Sequence, residues 1–174
     1  VGITTLDIVR ANKFVGLETG KNPNFINVPV IGGHAGATIL PLFSQDKVAK
    51  TIAEDKIPDM DKHVQDAGTD VVNAKNGKGS ATLSMAYAGA RLGKSILSGL
   101  MGKKRIECAY VKSDITELPY FAQKVQFGEK GVMKLLPLGE MNDYEKKRLE
   151  AVKEQLKGEI ESGLKYAEAN SLAD

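Results

Sequence analysis

The sequence predicts one mixed α/β domain of the α+β class, spanning residues 1–174. Several stretches carry apolar residues at the three-to-four-residue spacing of amphipathic helices, and short apolar runs typical of strands alternate with them. A Gly-Glu-Lys-Gly segment at residues 128–131 lies between two such runs and predicts a hairpin of antiparallel strands. Since no linker, repeat or low-complexity tract interrupts the pattern, we expect a single core.

The N-terminal part is expected to form a helix, two strands and a second helix. The first helix covers about residues 4–14 and is followed by a polar turn at residues 20–24. The two apolar runs at residues 25–31 and 37–42 are predicted to be strands. From Met60 onward the apolar residues recur at helical spacing, so the second helix is expected to reach about Lys75.

The C-terminal part is expected to form a helix and then the hairpin sheet. Residues 80–101 are rich in Ala, Leu and Met, so we expect a largely buried helix with Ser80 at its N-cap. The predicted strands that follow are residues 105–112, 120–127 and 132–138.

A long terminal helix completes the predicted domain. Asn142 or Asp143 can cap its N-terminus, and its opposite face is charged and expected to be solvated. Its apolar residues step by three or four positions: Leu149, Val152, Leu156, Ile160 and Leu164.

Composition argues against several classes of function. The formal net charge of +2 is too small to indicate a nucleic-acid partner, and the Lys-Lys-Arg run at 103–105 is interpreted as a solvated loop. No apolar run approaches the roughly 20 residues of a membrane span. The single Cys108 is interpreted as a buried, inert thiol, and His63 as an exposed residue without function. We expect no metal site.

A glycine-rich run around one histidine is the main candidate for a functional site. Residues 28–36 read Val-Pro-Val-Ile-Gly-Gly-His-Ala-Gly. The three glycines have no Cβ atoms that would hold a ligand or a second chain segment away from His34. Asp7 and Arg10 are three residues apart and share one face of a helix. Considered alone, the histidine would be interpreted as a structural residue, and the Asp-Arg pair as a weak ion pair on the surface. Together they favour a site, because a carboxylate can orient an imidazole while a guanidinium binds a substrate carboxylate.

Two segments resemble the active-site signatures of the malate dehydrogenases. They are Thr-Thr-Leu-Asp-Ile-Val-Arg at residues 4–10 and the 28–36 run, whose Gly-Gly-His-Ala-Gly ending is the malate-type form rather than the lactate-type form. The similarity continues through residues 79–85 and the terminal helix. The chain therefore resembles the C-terminal, substrate-binding domain of the lactate/malate dehydrogenase family, in its mitochondrial and bacterial branch. That resemblance implies long helices packed on mostly antiparallel strands.

The resemblance also implies roles for five residues in the reversible oxidation of malate to oxaloacetate. His34 would accept and donate the proton, Asp7 would orient the imidazole, and Arg10 would bind the substrate carboxylate. Ala81 is a weaker substrate-binding candidate. Met85 would contact the nicotinamide of NAD, with ordinary core packing as the alternative interpretation.

The chain does not contain the dinucleotide-binding motif of such an enzyme. The nearest segment, residues 77–82, has Thr at the sixth position of Gly-x-Gly-x-x-Gly, and no apolar strand precedes it. A phosphate-loop reading of residues 16–22 fails because Asn22 occupies the position of the required Ser or Thr. Since the sequence begins at the active-site helix without an initiator Met, we expect residues 1–174 to be the C-terminal domain. An N-terminal NAD-binding domain of the same enzyme would be missing, and the isolated fragment would be inactive.

The partners and the compartment follow from the same resemblance. It implies malate and oxaloacetate as small-molecule ligands, a homodimer, and a mitochondrial location with the cytoplasm as the alternative. Two other functions stay open from the sequence: a dehydrogenase for a different 2-hydroxy acid, and a non-catalytic dimerisation or binding module.

Overall fold

The computed structural model describes residues 1–170, which form four α-helices and a five-stranded antiparallel sheet joined by short 3₁₀ turns. The helices are α1 (Thr5–Thr19), α2 (Ile57–Ala74), α3 (Thr82–Leu100) and α4 (Asp143–Ala169). The strands are β1 (Val30–Gly32), β2 (Ile39–Pro41), β3 (Arg105–Lys112), β4 (Tyr120–Gly128) and β5 (Gly131–Leu135). This arrangement confirms the predicted α+β class.

Strand β4 is the centre of the sheet, whose strand order is β2-β1-β4-β3. One edge of β4 pairs along its length with β3, from Phe127 opposite Arg105 to Tyr120 opposite Lys112. Its other edge is shared between β5 near the hairpin and β1, which pairs through Gly32 opposite Ala122. The residues that follow Gly32 therefore leave the sheet beside its central strand.

The two N-terminal strands are shorter than the sequence predicts. The strand expected at 25–31 is reduced to Val30–Gly32, and the one expected at 37–42 to Ile39–Pro41. The backbone N–H of Asn27 donates to Asp46 Oδ2 at 2.9 Å, and that of Val28 donates to Asn12 Oδ1 at 2.9 Å. Side chains thus take the N–H groups that a longer β1 would use for ladder pairing.

Helix α1 extends five residues beyond the predicted end at residue 14. Val15 and Gly16 are buried, and the helix ends where Gly20 adopts a φ of 67°. This left-handed residue follows the last helical position, as is common at helix C-termini. The length of α1 is therefore set by a buried face and a glycine stop.

Helix α3 begins later and is less buried than predicted. Its N-cap is Ala81, which makes no side-chain cap, so the assignment of Ser80 as N-cap is wrong. Gly79 has a φ of 154°, which a residue with a Cβ rarely adopts, and the chain enters the helix only after Ser80. Leu83 and Tyr87 are 86% and 60% exposed, because α3 packs on α1 and the sheet through one face only.

The hairpin and the terminal helix agree more closely with the sequence. Strand β3 has the predicted bounds, and β5 ends at Leu135 rather than at residue 138. Asn142 is the N-cap of α4: its Oδ1 accepts from the Glu145 N–H at 2.9 Å, while Glu145 Oε2 accepts from the Asn142 N–H at 3.1 Å. This reciprocal capping box fixes where α4 begins. Of the predicted apolar stripe, Leu164 is exposed, and the other four residues are buried.

The core consists of three apolar clusters around the sheet. One of them joins α4 to the N-terminal strands and the centre of the sheet. Its buried members include Ile31, Leu40, Phe121, Val152 and Leu156. This cluster holds β1 and the turn that follows it against the middle of α4. Within the described residues, no helix is long and apolar enough to cross a membrane.

Cys108 is expected to be unreactive in the folded chain. It is buried in β3, and burial raises the pKa of its thiol to about 11, since an apolar surrounding disfavours the thiolate. An aromatic disulfide reagent at about pH 8 should label the native chain far more slowly than the chain unfolded in guanidinium. Equal labelling rates in the two states would contradict this burial.

Candidate active site

The turn that carries His34 is closed by Thr38. The Gly33 N–H donates to the Thr38 carbonyl at 2.8 Å, and the Thr38 hydroxyl donates to the Ala35 carbonyl at 2.8 Å. A Cβ on Gly32 would lie 2.2 Å from the Thr38 carbonyl oxygen, and Gly32 has a φ of 96°. Glycine at position 32 is therefore needed to let a second chain segment approach, which is one of the two reasons that the sequence suggested.

Asp7 joins His34 and Arg10 through its two carboxylate oxygens. Its Oδ2 accepts from His34 Nδ1 at 2.5 Å, and its Oδ1 accepts from Arg10 Nη1 at 3.2 Å. The side chain is fully buried in the first turn of α1, where the helix dipole and the two donors offset the cost of burying a charge. The structure thus brings together the three residues that the sequence selected.

The contact with Asp7 sets both the tautomer and the acidity of His34. Because Nδ1 donates to the carboxylate, the neutral imidazole carries its lone pair on Nε2, which has no hydrogen-bond partner among the described residues. The pKa of His34 is raised above its ordinary value, chiefly by the hydrogen bond to Asp7 and against the opposing effect of partial burial. Arg10 also opposes the increase, because its positive charge disfavours the imidazolium.

Four of the five predicted site residues line one cavity of about 800 Å³. They are Arg10, His34, Ala81 and Met85. Asp7 lies behind the cavity wall, where it contacts His34 and Arg10. The volume is in the range of small-molecule sites in proteins. Ile3 lines the cavity near these groups and adds to its apolar surface.

One wall of the cavity belongs to α2, and sequence reasoning missed it. Gln65, Gly68 and Thr69 line the cavity, with Gly68 beside Arg10: a Cβ there would lie 3.4 Å from Nη2. The spacing of three and four residues places them on one helical face. That spacing is the signal that could have indicated them, although a polar helical face is more often solvated.

The opposite wall is formed by the start of α3. Ser80 and Ala81 precede its first turn, and Met85 follows one turn later, half-buried, with its N–H donating to the Ala81 carbonyl at 2.9 Å. Among residues 1–170, no group of three or more His, Cys, Asp or Glu side chains is arranged to hold a metal ion. The cavity offers a base at His34, a cation at Arg10, the polar side chains of α2 and an apolar surface.

Comparison with known proteins identifies the family. Residues 4–167 match the family described as lactate/malate dehydrogenase, alpha/beta C-terminal domain. The chain belongs to this family. It is 53% identical over 167 residues to malate dehydrogenase 2, mitochondrial, of Arabidopsis thaliana, covering 95% of this chain and 49% of that protein. It is 48% identical over 167 residues to a glyoxysomal malate dehydrogenase of Cucumis sativus, covering 95% of this chain and 47% of that protein.

The fold of this family domain recurs in solved malate dehydrogenase structures. The apo enzyme from Picrophilus torridus superposes with a TM-score of 0.80 at 22% identity, covering 98% of this chain and 55% of that one. At this identity the likeness shows the shared fold. The chain spans about half the length of the curated relatives that it matches.

The raised pKa of His34 predicts that its contribution to stability depends on pH. Protonated His34 stabilises the folded chain below the ordinary pKa of about 6.5, and this contribution is lost as the pH rises through the raised value. In urea unfolding between about pH 5.5 and pH 9, the free energy of unfolding should fall with pH more steeply for the native sequence than for His34→Gln. Parallel curves for the native chain and His34→Gln would contradict the prediction.

Proposed function

We propose that this chain is the C-terminal, substrate-binding half of an NAD-dependent malate dehydrogenase, which oxidises malate to oxaloacetate reversibly. The observation that carries the proposal is the contact of one buried carboxylate, Asp7, with both His34 and Arg10 at the wall of the cavity. The family assignment and the malate dehydrogenase names of relatives about half identical in sequence support this reaction over others.

His34 moves the proton in the proposed mechanism. In malate oxidation the free Nε2 accepts the proton of the substrate hydroxyl, and the imidazolium that forms is stabilised by Asp7. In the reverse direction the same imidazolium returns the proton to the carbonyl oxygen. The hydrogen bond from Nδ1 to Asp7 raises the pKa of His34 and so favours the imidazolium that malate oxidation produces.

Arg10 binds the carboxylate next to the reacting carbon. Its Nη1 is held by Asp7, and the guanidinium lines the cavity with further N–H donors in a planar fork. Two parallel hydrogen bonds would fix the orientation of the substrate as well as its charge. Malate carries a second carboxylate, and Arg10 is the one cationic side chain lining this cavity among residues 1–170. The second carboxylate therefore needs a cation from outside the described domain.

The apolar part of the cavity fits a nicotinamide ring. Met85 and Ala81 offer small or flexible apolar contacts on one wall, and Ile3 adds apolar surface near His34. When bound, NAD supplies the acceptor for the hydride that leaves the substrate carbon. Since this chain lacks a Gly-x-Gly-x-x-Gly turn, we propose that a separate N-terminal domain holds the dinucleotide and that the fragment alone is inactive.

The assembly and the location of the enzyme belong to the same proposal. We propose a homodimer, in line with the family resemblance. A mitochondrial location is supported by the names of the relatives from Arabidopsis thaliana and Citrullus lanatus, the second 52% identical over 170 residues and covering 97% of this chain and 49% of that protein. The glyoxysomal relatives, at slightly lower identity, give a weaker alternative.

A chimera tests the proposed activity. Joining this chain to the half of the Arabidopsis thaliana relative that it does not match should give an enzyme that consumes NADH in the presence of oxaloacetate. His34→Asn should lower kcat by about 10²- to 10⁴-fold, because the general base and acid is lost. His63→Asn is the matched control and should leave the rate unchanged.

Two outcomes of the chimera experiment would contradict the proposal. Full activity of the folded His34→Asn variant would remove His34 from proton transfer. A folded chimera that is silent with oxaloacetate but turns over another 2-oxo acid would change the substrate, and silence with all of them would favour a non-catalytic module.

Arg10→Lys in the same chimera tests the carboxylate clamp. The KM for oxaloacetate should rise by about 10- to 100-fold, because an ammonium cannot reproduce the bidentate geometry, whose charged hydrogen bonds contribute about 1.5–3 kcal/mol. Arg91→Lys, in an ion pair with Glu107 outside the cavity, is the control and should leave the KM unchanged. An unchanged KM in Arg10→Lys would remove Arg10 from this role.

A further inference from the structure

A second buried carboxylate, Asp61, fastens α2 to α4. Its Oδ2 accepts from Arg148 Nε at 2.7 Å and from the Tyr144 hydroxyl at 2.8 Å. The Asp61 side chain is 2% exposed, whereas that of Arg148 is 18% exposed. Tyr144 and Arg148 are four residues apart at the start of α4, so both donors lie on one face of that helix.

The Arg148 side chain also contacts the turn that carries His34. Its Nη2 donates to the carbonyl of Ala37 at 3.1 Å and to the carbonyl of Ile39 at 3.3 Å. These two carbonyls flank Thr38, the residue whose hydroxyl and carbonyl close the turn around His34. A continuous hydrogen-bonded path therefore runs from Asp61 on α2 through the Arg148 guanidinium to the backbone on both sides of Thr38.

The chemistry of the pair favours a positioning role over a purely stabilising one. A buried ion pair often adds little net stability, because desolvation cancels much of the attraction. Asp61 Oδ1 is buried without a hydrogen-bond partner, so the carboxylate is only partly compensated. The pair does fix orientation, because the planar guanidinium of Arg148 holds Asp61 and the carbonyls of Ala37 and Ile39 in one relative geometry.

We propose that Arg148, anchored by Asp61, is a positioning residue that orients the 33–38 turn and thereby holds His34 against Asp7. Its significance for catalysis rests on the proposed function, whereas its effect on the geometry of His34 is measurable without turnover. Arg148 is not among the residues that line the cavity, and it acts through the backbone of Ala37 and Ile39.

The charged and titratable groups that share a cavity lining or a direct contact with His34 are distinct from this network. They are Asp7 and Arg10 on α1, Asp66 on α2, Glu159 on α4, and Tyr110 and Tyr120 on the sheet. Arg148→Lys keeps the charge of the network and leaves all of these groups in place. A change in the titration of His34 in that variant therefore reports a change in geometry.

The test uses the chain itself, whose two histidines can be titrated together by NMR. In Arg148→Lys, the pKa of His34 should fall from its raised value toward about 6.5, because the hydrogen bond to Asp7 loosens. His63, which is exposed and stacks on Phe14 at 3.9 Å, lies outside this network, so its ring resonances should be the same in the variant and the native chain. Lys147→Arg, at the exposed neighbouring position of α4, is the matched control and should leave the pKa of His34 unchanged.

A double variant keeps the test decisive if a single substitution unfolds the chain. Asp61→Leu with Arg148→Met removes both charges together and leaves no unpaired buried charge. The folded double variant should show the same fall in the pKa of His34. If the folded variants keep the pKa of His34 unchanged, or perturb the ring resonances of His34 and His63 alike, the positioning role is overturned. Failure of every variant to fold would also overturn it, since the pair would then be a stability element.

The chimera adds a kinetic readout that separates this inference from the proposed function. Arg148→Lys should lower kcat by about 10- to 100-fold while the KM for oxaloacetate stays within about twofold, because Arg10 is untouched. Full activity of His34→Asn would defeat the proposed function and leave the NMR result standing. An unchanged kcat in Arg148→Lys, with His34→Asn inactive, would defeat only the positioning role.

Discussion

The site depends on one buried negative charge. Asp7 is removed from water at the start of α1, and a carboxylate in that position is tolerated only with hydrogen-bond donors and positive charge around it. His34 and Arg10 supply the donors, one to each oxygen. The two hydrogen bonds that compensate the buried charge of Asp7 therefore also orient the imidazole and hold the guanidinium at the cavity wall. The same contacts stabilise the fold and set the geometry of the site.

The rest of the fold brings the two chain segments of this arrangement together. Helix α1 carries Asp7 and Arg10, and strand β1 ends at Gly32 beside the central strand of the sheet. Thr38 closes the turn after β1 at a distance that only glycine permits at position 32. Helix α4 then packs on the turn, and the Arg148 side chain reaches its carbonyls. Each of these contacts restricts the orientation of the His34 side chain.

The proposed function assigns this cavity only part of an active site. It presents a histidine with a free Nε2, one arginine and an apolar wall at the start of α3. Under the proposed function, the second carboxylate of malate needs another cation at the cavity and NAD needs a dinucleotide-binding turn. Among residues 1–170, the cavity lining contains neither. The length of the relatives, about twice that of this chain, agrees with the proposal that another domain completes the site.

The sequence by itself determined the approximate positions of the helices and of the hairpin and the shared helical face of Asp7 and Arg10, because these follow from local spacing. The resemblance to a known family added His34, which lies 27 residues from Asp7. Apolar periodicity, the Asn142 capping box and the Asp7–Arg10 interval all act within a few residues along the chain. The tertiary structure alone decided the features that join distant segments. They are the short β1, which is preceded by N–H groups that donate to side chains 16 and 19 positions away, the polar wall of α2, and the Asp61–Arg148 pair, 87 residues apart. The sequence does not show whether a polar side chain is exposed to water or bonded to a buried partner. Only the packing of the folded chain distinguishes these two environments.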